Sequence, residues 1–581
     1  MRLRPVPALC LALLLLGLTW SLSGPGAAPL SRGDESTLAL AAQSLLHDRD
    51  LSYDQRDAHR AGRLWSGGPA GLTLFTNDGG RTMFYGRSLA WPMAALPFYA
   101  VLGERGGAVF NMALFLLVAG AALWLVREEG GLPALFAAGF FFASAAFGYA
   151  VRTDSPVLVG ACLFFALLLW QKLRELPDQS RRDLRLLAGT GVLLGAVFAA
   201  SPPAAILGLP VLIDLLWRRR WADAFTVLAS ALLVVGFLAV VQWRLTGEWN
   251  VEGGAQRRTF DGEYPLEAAG DLWQGYREIG GADLETGLRL LPRNLGYLLA
   301  GRHAGLLPYF PFALLAMALY FAGPKNRARI LLAGAVAVYC LSILLTHPHD
   351  FDGGSGALGN RFVAAIYPAF FLLPGRRAVR RGLVLPYAAA GLWTAGAVLA
   401  TMAPGLSDPA VRLGTFRILP LELTLLGGAG GGQVSDFTAQ TWGGAVWIVP
   451  RWSFYTEERH PNGVWVRGAT RSEVVVVSPN RLDRLRFTVY ALSPENELVL
   501  DSGVDRLRVR FDTEGKRLGT PVDLAVEPVA RDLGFFPSPE GEFFYRFTLT
   551  TTGGLVPARV DPKSLDLRSL GVFLDFTGEG P

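Results

Sequence analysis

Apolar residues in this chain fall into runs of roughly 12 to 20, separated by short basic clusters, and that spacing predicts a bundle of membrane-spanning helices. Leu9 to Leu22 forms the first run, with Arg2 and Arg4 before it. Ala108 to Val126 leads to Arg127, and Leu132 to Tyr149 leads to Arg152-Thr153-Asp154. Pro156 to Trp170 returns to the basic stretch from Lys172 to Arg185. A hairpin of Leu186 to Ala200 and Ala204 to Trp217, turning at Ser201-Pro202-Pro203, ends at Arg218-Arg219-Arg220, and Ala222 to Val241 follows. Further runs are Gly305 to Phe321, Ile330 to Thr346, Phe362 to Leu373 and Leu383 to Met402. Counted this way there are about 11 transmembrane helices, and nearly every basic cluster between them falls on one side, the inner side by the positive-inside rule. The outer face then receives two long polar loops, residues 31–107 and 242–304.

Leu89 to Leu102 is apolar but holds Pro92 and Pro97, and counting it as a span would invert every later basic loop. It reads as a helix lying along the outer interface, where Trp91 and Tyr99 are at home. After Met402 the pattern changes. A Gly-rich junction over 404–434 contains Gly427-Gly428-Ala429-Gly430-Gly431-Gly432, with no Lys-Ser/Thr to make a phosphate loop of it. From 435 to 581 short alternating runs such as Leu485-Arg-Phe-Thr-Val-Tyr-Ala-Leu are divided by turn signals such as Pro461-Asn462-Gly463, which predicts a β-sandwich. An odd number of spans puts this domain on the outer side.

Composition agrees with the pattern: hydrophobic residues make up 51% and charged residues 18%. The formal charge of +5 lies in the short inner clusters, so it reports topology and not a nucleic-acid partner. Cys10, Cys162 and Cys340 sit in or beside apolar runs and make no disulfide framework. The N-terminus also has the form of a signal peptide, but the many spans that follow favour an uncleaved first helix.

Polar residues at the outer boundary are the candidate chemistry, since ionisable groups there are costly unless used. Asp34 and Glu35 follow the first span, Asp154 follows the third, and Asn360 and Arg361 follow the loop His347-Pro-His-Asp-Phe-Asp-Gly-Gly-Ser-Gly. A carboxylate can take the proton of an attacking hydroxyl, and an arginine can hold a phosphate bidentately. Arg87 and Arg302 could meet the same phosphate or a lipid headgroup, and Asn360-Arg361 have the better claim to it because the Gly-rich backbone just before them leaves room for close approach of a ligand. Asp34 and Glu35 also suit a helix cap, and His347 and His349 could hold a divalent metal or be plain loop residues.

Gly33-Asp34-Glu35, the amphipathic Ala42-Gln-Ser-Leu-Leu-His-Asp-Arg-Asp-Leu51 and the Pro-containing stretch Trp91-Pro92 to Leu102-Gly103 together resemble the first outer loop of GT-C class membrane glycosyltransferases. That superfamily includes the protein O-mannosyltransferases, the lipid A aminoarabinose transferases and bacterial relatives. Gly301-Arg302-His303-Ala304-Gly305 and Gly353-Gly354-x-Gly356-x-x-Gly359-Asn360-Arg361 are similar to recurrent segments of the bacterial relatives. Over residues 1–403 the resemblance implies a GT-C-like transferase domain. Its expected reaction moves one hexose or pentose from a polyprenyl-phosphate donor to a glycan, lipid or protein acceptor on the extracytoplasmic face of the inner membrane, with inversion. Asp34 resembles the catalytic carboxylate of that loop, with Glu35 beside it, and Asp154 the second acidic residue. The first loop here reads Gly-Asp-Glu-Ser-Thr-Leu where the family's common form is Gly-Asp-Glu-Pro-His-Tyr. A lipid-linked sugar flippase, or a silent scaffold presenting the β-domain, are the alternative readings. A flippase would want polar residues at the bilayer midplane, which the sequence does not offer.

Overall fold

The computed structural model describes residues 5–23, 31–32, 34–65, 69–78, 82–127, 131–175, 184–254, 257–261, 284–302, 304–354, 358–374, 389, 391–392, 419–420, 422–426, 437–442, 444–451, 454, 463–493, 496–511, 519–528, 530–531, 543–561 and 569–576. Its helices are α1 (Pro5–Leu22), α2 (Asp34–His47), α3 (Gln55–Leu64), α4 (Ala90–Leu102), α5 (Gly106–Val126), α6 (Gly131–Phe142), α7 (Ala145–Ala150) and α8 (Pro156–Glu175). There follow α9 (Leu184–Ala200), α10 (Leu209–Trp217), α11 (Trp221–Thr246), α12 (Leu284–Ala300), α13 (Pro311–Ala322), α14 (Arg327–Thr346) and α15 (Arg361–Phe371). Four apolar helical stretches are long enough to cross a membrane: Ala90–Val126, Pro156–Glu175, Trp221–Thr246 and Arg327–Thr346. Shorter apolar helices occupy six of the other expected spans. The last one, Leu383 to Met402, lies almost wholly outside the described residues. α11 turns Phe225, Leu232, Leu233 and Phe237 outward, each more than half exposed, as a lipid-facing helix does. The chain is an integral membrane protein.

Ala90–Val126 is not one straight rod. Over the 19 residues from Trp91 to Phe110 a straight helix would rise about 28 Å, yet the two rings lie 6.0 Å apart, and Phe98 lies 5.3 Å from Phe110. α4 therefore folds back on the first turns of α5, with the reversal at Gly103, whose φ of +60° suits glycine. α4 and α5 are thus two packed helices and not one continuous span. The expected span Leu132 to Tyr149 is broken instead of continuous. Ser144 is extended, and its hydroxyl donates to the Phe141 carbonyl at 3.3 Å, competing with the helical ladder and dividing α6 from α7.

One apolar core joins α5 through α15, with Phe140 stacked on Tyr367 at 4.1 Å and Gly160 of α8 lying against Pro368 of α15. At one end of this bundle a small sheet forms from β1 (Ser31–Arg32), β2 (Pro69–Phe75), β3 (Phe84–Tyr85) and β4 (Arg257–Asp261). The antiparallel β2–β4 ladder ties the first expected outer loop to the second, so both lie at the same end.

The C-terminal strands form two sheets. The larger comprises β5 (Phe437–Thr441), β6 (Gly444–Arg451), β8 (Arg471–Ser478), β10 (Glu497–Asp501), β11 (Arg506–Arg510), β13 (Ala530–Arg531) and β14 (Phe543–Thr551). The smaller comprises β7 (Gly463–Arg467), β9 (Arg484–Ala491), β12 (Thr520–Ala525) and β15 (Leu570–Asp575). Alternate residues of β9, Leu485, Phe487 and Val489, share one buried core with Phe547 and Leu549 of β14, Phe487 stacking on Phe547 at 5.5 Å, as sandwich strands should.

Candidate active site

Three helix starts and one loop meet at the end of the bundle that carries the small sheet. Asp34 opens α2, Asp154 precedes α8, Arg361 opens α15, and Arg87 lies between β3 and α4. The Asp34 carboxylate accepts from Arg361 through one oxygen and pairs with Arg87 Nε at 2.6 Å through the other. Arg361 also reaches Asp154 Oδ1 at 2.5 Å, so one guanidinium spans two carboxylates that are more than 100 residues apart in sequence. Glu35 points to a different partner, Arg152, at 3.2 Å.

Backbone geometry supports each of these side chains. The Ser155 amide donates to Asp154 Oδ1 at 2.7 Å. Asn111, in the first turns of α5, donates to the carbonyls of Arg152 at 2.6 Å and Asp154 at 2.7 Å, and accepts from Trp91 Nε1 at 2.9 Å. A single fully buried amide thus ties the Asp154 turn to α4 and α5. On the Arg361 side, Asn360 caps α15 by accepting from the Val363 amide at 2.9 Å, and its amide donates to the Phe351 carbonyl at 2.8 Å. The Arg361 amide donates to the Asp352 carbonyl at 2.7 Å. Glycine at 353, with φ of +92°, is required here, since a β-carbon would lie 2.7 Å from that of Arg361. The room that the Gly-rich segment provides is taken by Arg361 itself.

Electrostatics divide the two carboxylates. Burial pushes Asp34 upward, but Arg361 and Arg87 outweigh it and hold the carboxyl below its ordinary value. For Asp154 burial wins: Arg361 lowers it, the negative Asp34 raises it again, and the net direction is upward. Asp350, in the loop before α15, is pushed well above the ordinary range by burial and by Asp352. Arg257 of β4 adds positive charge near Asp34 and is itself paired with Glu252 at 3.3 Å. Paired carboxylates pushed in opposite directions are a common mark of functional sites.

The other expected site residues take no part in this bridge, although burial, and then the nearby Arg257 and Arg87, hold the His347 imidazole below its ordinary value. Arg302 is buried, and its guanidinium donates to the Leu419 carbonyl at 3.1 and 3.0 Å, beside Glu422, which accepts from the Ala304 amide at 2.8 Å. His347 Nδ1 lies 2.8 Å from the Thr346 hydroxyl, whereas His349 Nδ1 lies 3.0 Å from the Thr424 carbonyl. The two histidines are thus engaged by different segments, and no group of three metal-ligating side chains occurs among the described residues. Sequence reasoning missed Asn111, Arg152 as the partner of Glu35, and Arg257. An amide inside an otherwise apolar span was the available signal for Asn111; Arg257 depends on a sheet pairing that no local pattern announces.

No family model matches this chain, and no curated protein does. The chain is similar to the crystal structure of ArnT from Cupriavidus metallidurans bound to undecaprenyl phosphate. Identity is 14% at a TM-score of 0.40, over 73% of this chain and 77% of that one.

Proposed function

We propose that the protein is a membrane glycosyltransferase that moves a sugar from a polyprenyl-phosphate donor to an acceptor hydroxyl at the Asp34 end of the bundle. The observation that carries this reading is the largely shielded bridge Asp34–Arg361–Asp154 with Arg87 on its flank. Two guanidiniums within reach of one carboxylate form a seat for a phosphate, and the carboxylate is the base that a hydroxyl attack needs.

In the reaction, the acceptor oxygen attacks the anomeric carbon from the face opposite the phosphate, and inversion follows. The bond from that carbon to the phosphate oxygen breaks. Polyprenyl phosphate leaves as an anion held by Arg361 and Arg87, and the hydroxyl proton goes to Asp34. Without donor, the two arginines make Asp34 a poor base. A donor phosphate that engages them offsets their charge, so the basicity of Asp34 rises when there is something to deprotonate. Asp154 keeps Arg361 aimed, and Asn360 sets the start of its helix. Glu35 orients Arg152 at the edge of the site, and the position of Arg302 on Leu419 suits a structural role. A divalent metal has no part in this scheme.

The test is transfer from an undecaprenyl-phosphate-linked sugar in membranes containing the protein, alongside mass spectrometry of envelope glycans and lipids from cells with and without it. A product missing one hexose or pentose supports the reading. Identical products together with inert membranes, across hexose and pentose donors, refute it.

A further inference from the structure

A second charged site lies at the opposite end of the bundle, where the last turns of α5, α8 and α15 meet the first turn of α14. Between them is a cavity of about 420 Å³. Val126, Phe136 and Phe371 form an apolar wall, and Gln171, Arg174, Glu175, Asn326 and Arg329 line the polar side. Asp214, 1% exposed, pairs with Arg174 and Arg218 at 3.3 Å each and accepts from Trp170 Nε1 at 3.2 Å. That single carboxylate therefore serves two guanidiniums. Arg327 stacks on the Trp217 ring at 3.8 Å, and Arg329 donates to the Pro324 carbonyl at 3.1 Å. Among the described residues, Arg174 and Arg329 line the cavity with Glu175, and behind Arg174 stand Arg218 and Arg327 against Asp214. An excess of positive charge in a half-enclosed place is costly unless an anion joins it.

The shape indicates which anion. Neighbours of the lining residues on the same helices, Trp124, Leu135 and Ile330, are 60%, 53% and 51% exposed, so this part of the bundle faces hydrocarbon. A cavity with an apolar wall and two arginines at the level of a helix end matches an amphiphile whose phosphate sits at the boundary and whose chain runs along the wall. Asn326 caps α14 by accepting from the Arg329 amide at 3.0 Å, which fixes Arg329 at the rim. We infer that this cavity binds the headgroup of an anionic phospholipid in the leaflet opposite the Asp34 site, with Arg174 and Arg329 on the phosphate. The inference does not rest on the transferase reading, because it concerns other residues and needs no donor.

Full-length protein in a neutral detergent is titrated with short-chain phosphatidylglycerol, short-chain phosphatidylcholine or inorganic phosphate, and the unfolding temperature is followed. Phosphatidylglycerol is expected to raise it saturably, with phosphatidylcholine and inorganic phosphate much weaker. In Arg329→Gln the half-saturating concentration should rise about tenfold, the loss expected for one charge-assisted contact. Arg174→Gln should do the same, but it also touches Asp214, so Arg329→Glu serves as the second variant if Arg174→Gln does not fold. Equal titration curves for wild type, Arg329→Gln and Arg329→Glu would overturn the site. An equal response to phosphatidylcholine would make the effect a general one of lipid, and saturation by inorganic phosphate at the same concentration would make it a free-anion site. Either result also overturns the lipid assignment.

Discussion

Replacing Asp34 by Asn keeps the shape of the side chain and removes both its charge and its proton affinity. Two effects of different size follow, and they can be separated. The stability cost comes from Arg87, which loses its 2.6 Å partner, while Arg361 keeps Asp154. Removing one member of a buried pair costs about 3–5 kcal/mol. Here Arg87 is 32% exposed and water can take over part of that role, so a cost of about 2 kcal/mol is expected. A protein stable by about 5–15 kcal/mol remains folded after such a loss, and the folded fraction then changes activity very little. Losing a general base lowers the chemical step by roughly 10²–10⁴-fold, or about 3–5 kcal/mol of barrier. Transfer measured well below the unfolding temperature should therefore fall at least a hundredfold. Donor binding, measured separately, should hold or tighten, because Arg87 and Arg361 are released towards the phosphate. A wild-type transfer rate in Asp34→Asn would refute the mechanism, and so would a parallel loss of donor binding and turnover.

Four other outcomes are expected. Arg361→Lys keeps a charge but loses the planar fork that reaches both Asp34 and Asp154, so donor affinity and turnover should both drop, read by lipid binding and transfer. Asn111→Leu leaves Trp91 Nε1 and two carbonyls without their partner, at a cost of about 2–4 kcal/mol, and should lower turnover more than donor affinity by shifting the Asp154 turn, as thermal unfolding and transfer kinetics would reveal. In a background with Cys10, Cys162 and Cys340 replaced by Ser, a cysteine at exposed Asp483 should label with an impermeant reagent in intact cells, and one at exposed Lys325 should not. The segment 437–576, which has its own sandwich core, should unfold cooperatively when expressed alone, whereas a chain ending at Gly427 should still bind the donor.

The sequence announced the bundle because apolar length and basic loops are local signals, and it announced the sandwich because alternation is local too. Asp34, Asp154 and Arg361 were legible as boundary charges, but not as one bridge, since they come from three helices whose starts converge only after packing. Asn360 reads from the sequence as a ligand contact, and in the fold it also caps its helix, because Asn before a helix can serve both uses. Arg302 followed a similar path: an arginine near a boundary suggests a phosphate, and in the fold its guanidinium meets a main-chain carbonyl from a segment more than 100 residues away. The break at Ser144 was hidden by its apolar neighbours, whose hydropathy is the same whether the helix continues or stops.

The opposite displacements of Asp34 and Asp154 make a pH test of the site available without any substrate. Asp34, held below its ordinary value when folded, contributes stability that is present above the unfolded value and is lost as pH falls through the folded one. Asp154 is displaced upward, so its contribution has the other sign: it is present below the unfolded value and disappears as pH rises through the folded one. At neutral pH, therefore, Asp154→Asn should cost less stability than Asp34→Asn, because it removes a carboxylate whose ionised form is disfavoured in the fold. As the pH falls below the ordinary carboxylate range, both groups become neutral in the wild type and the difference between the variants should shrink. Unfolding temperatures of the two variants measured from neutral to acidic pH decide the matter. A gap of the opposite sign at neutral pH would mean that Arg361 serves Asp154 before Asp34, and the assignment of Asp34 as the base would have to be exchanged with it.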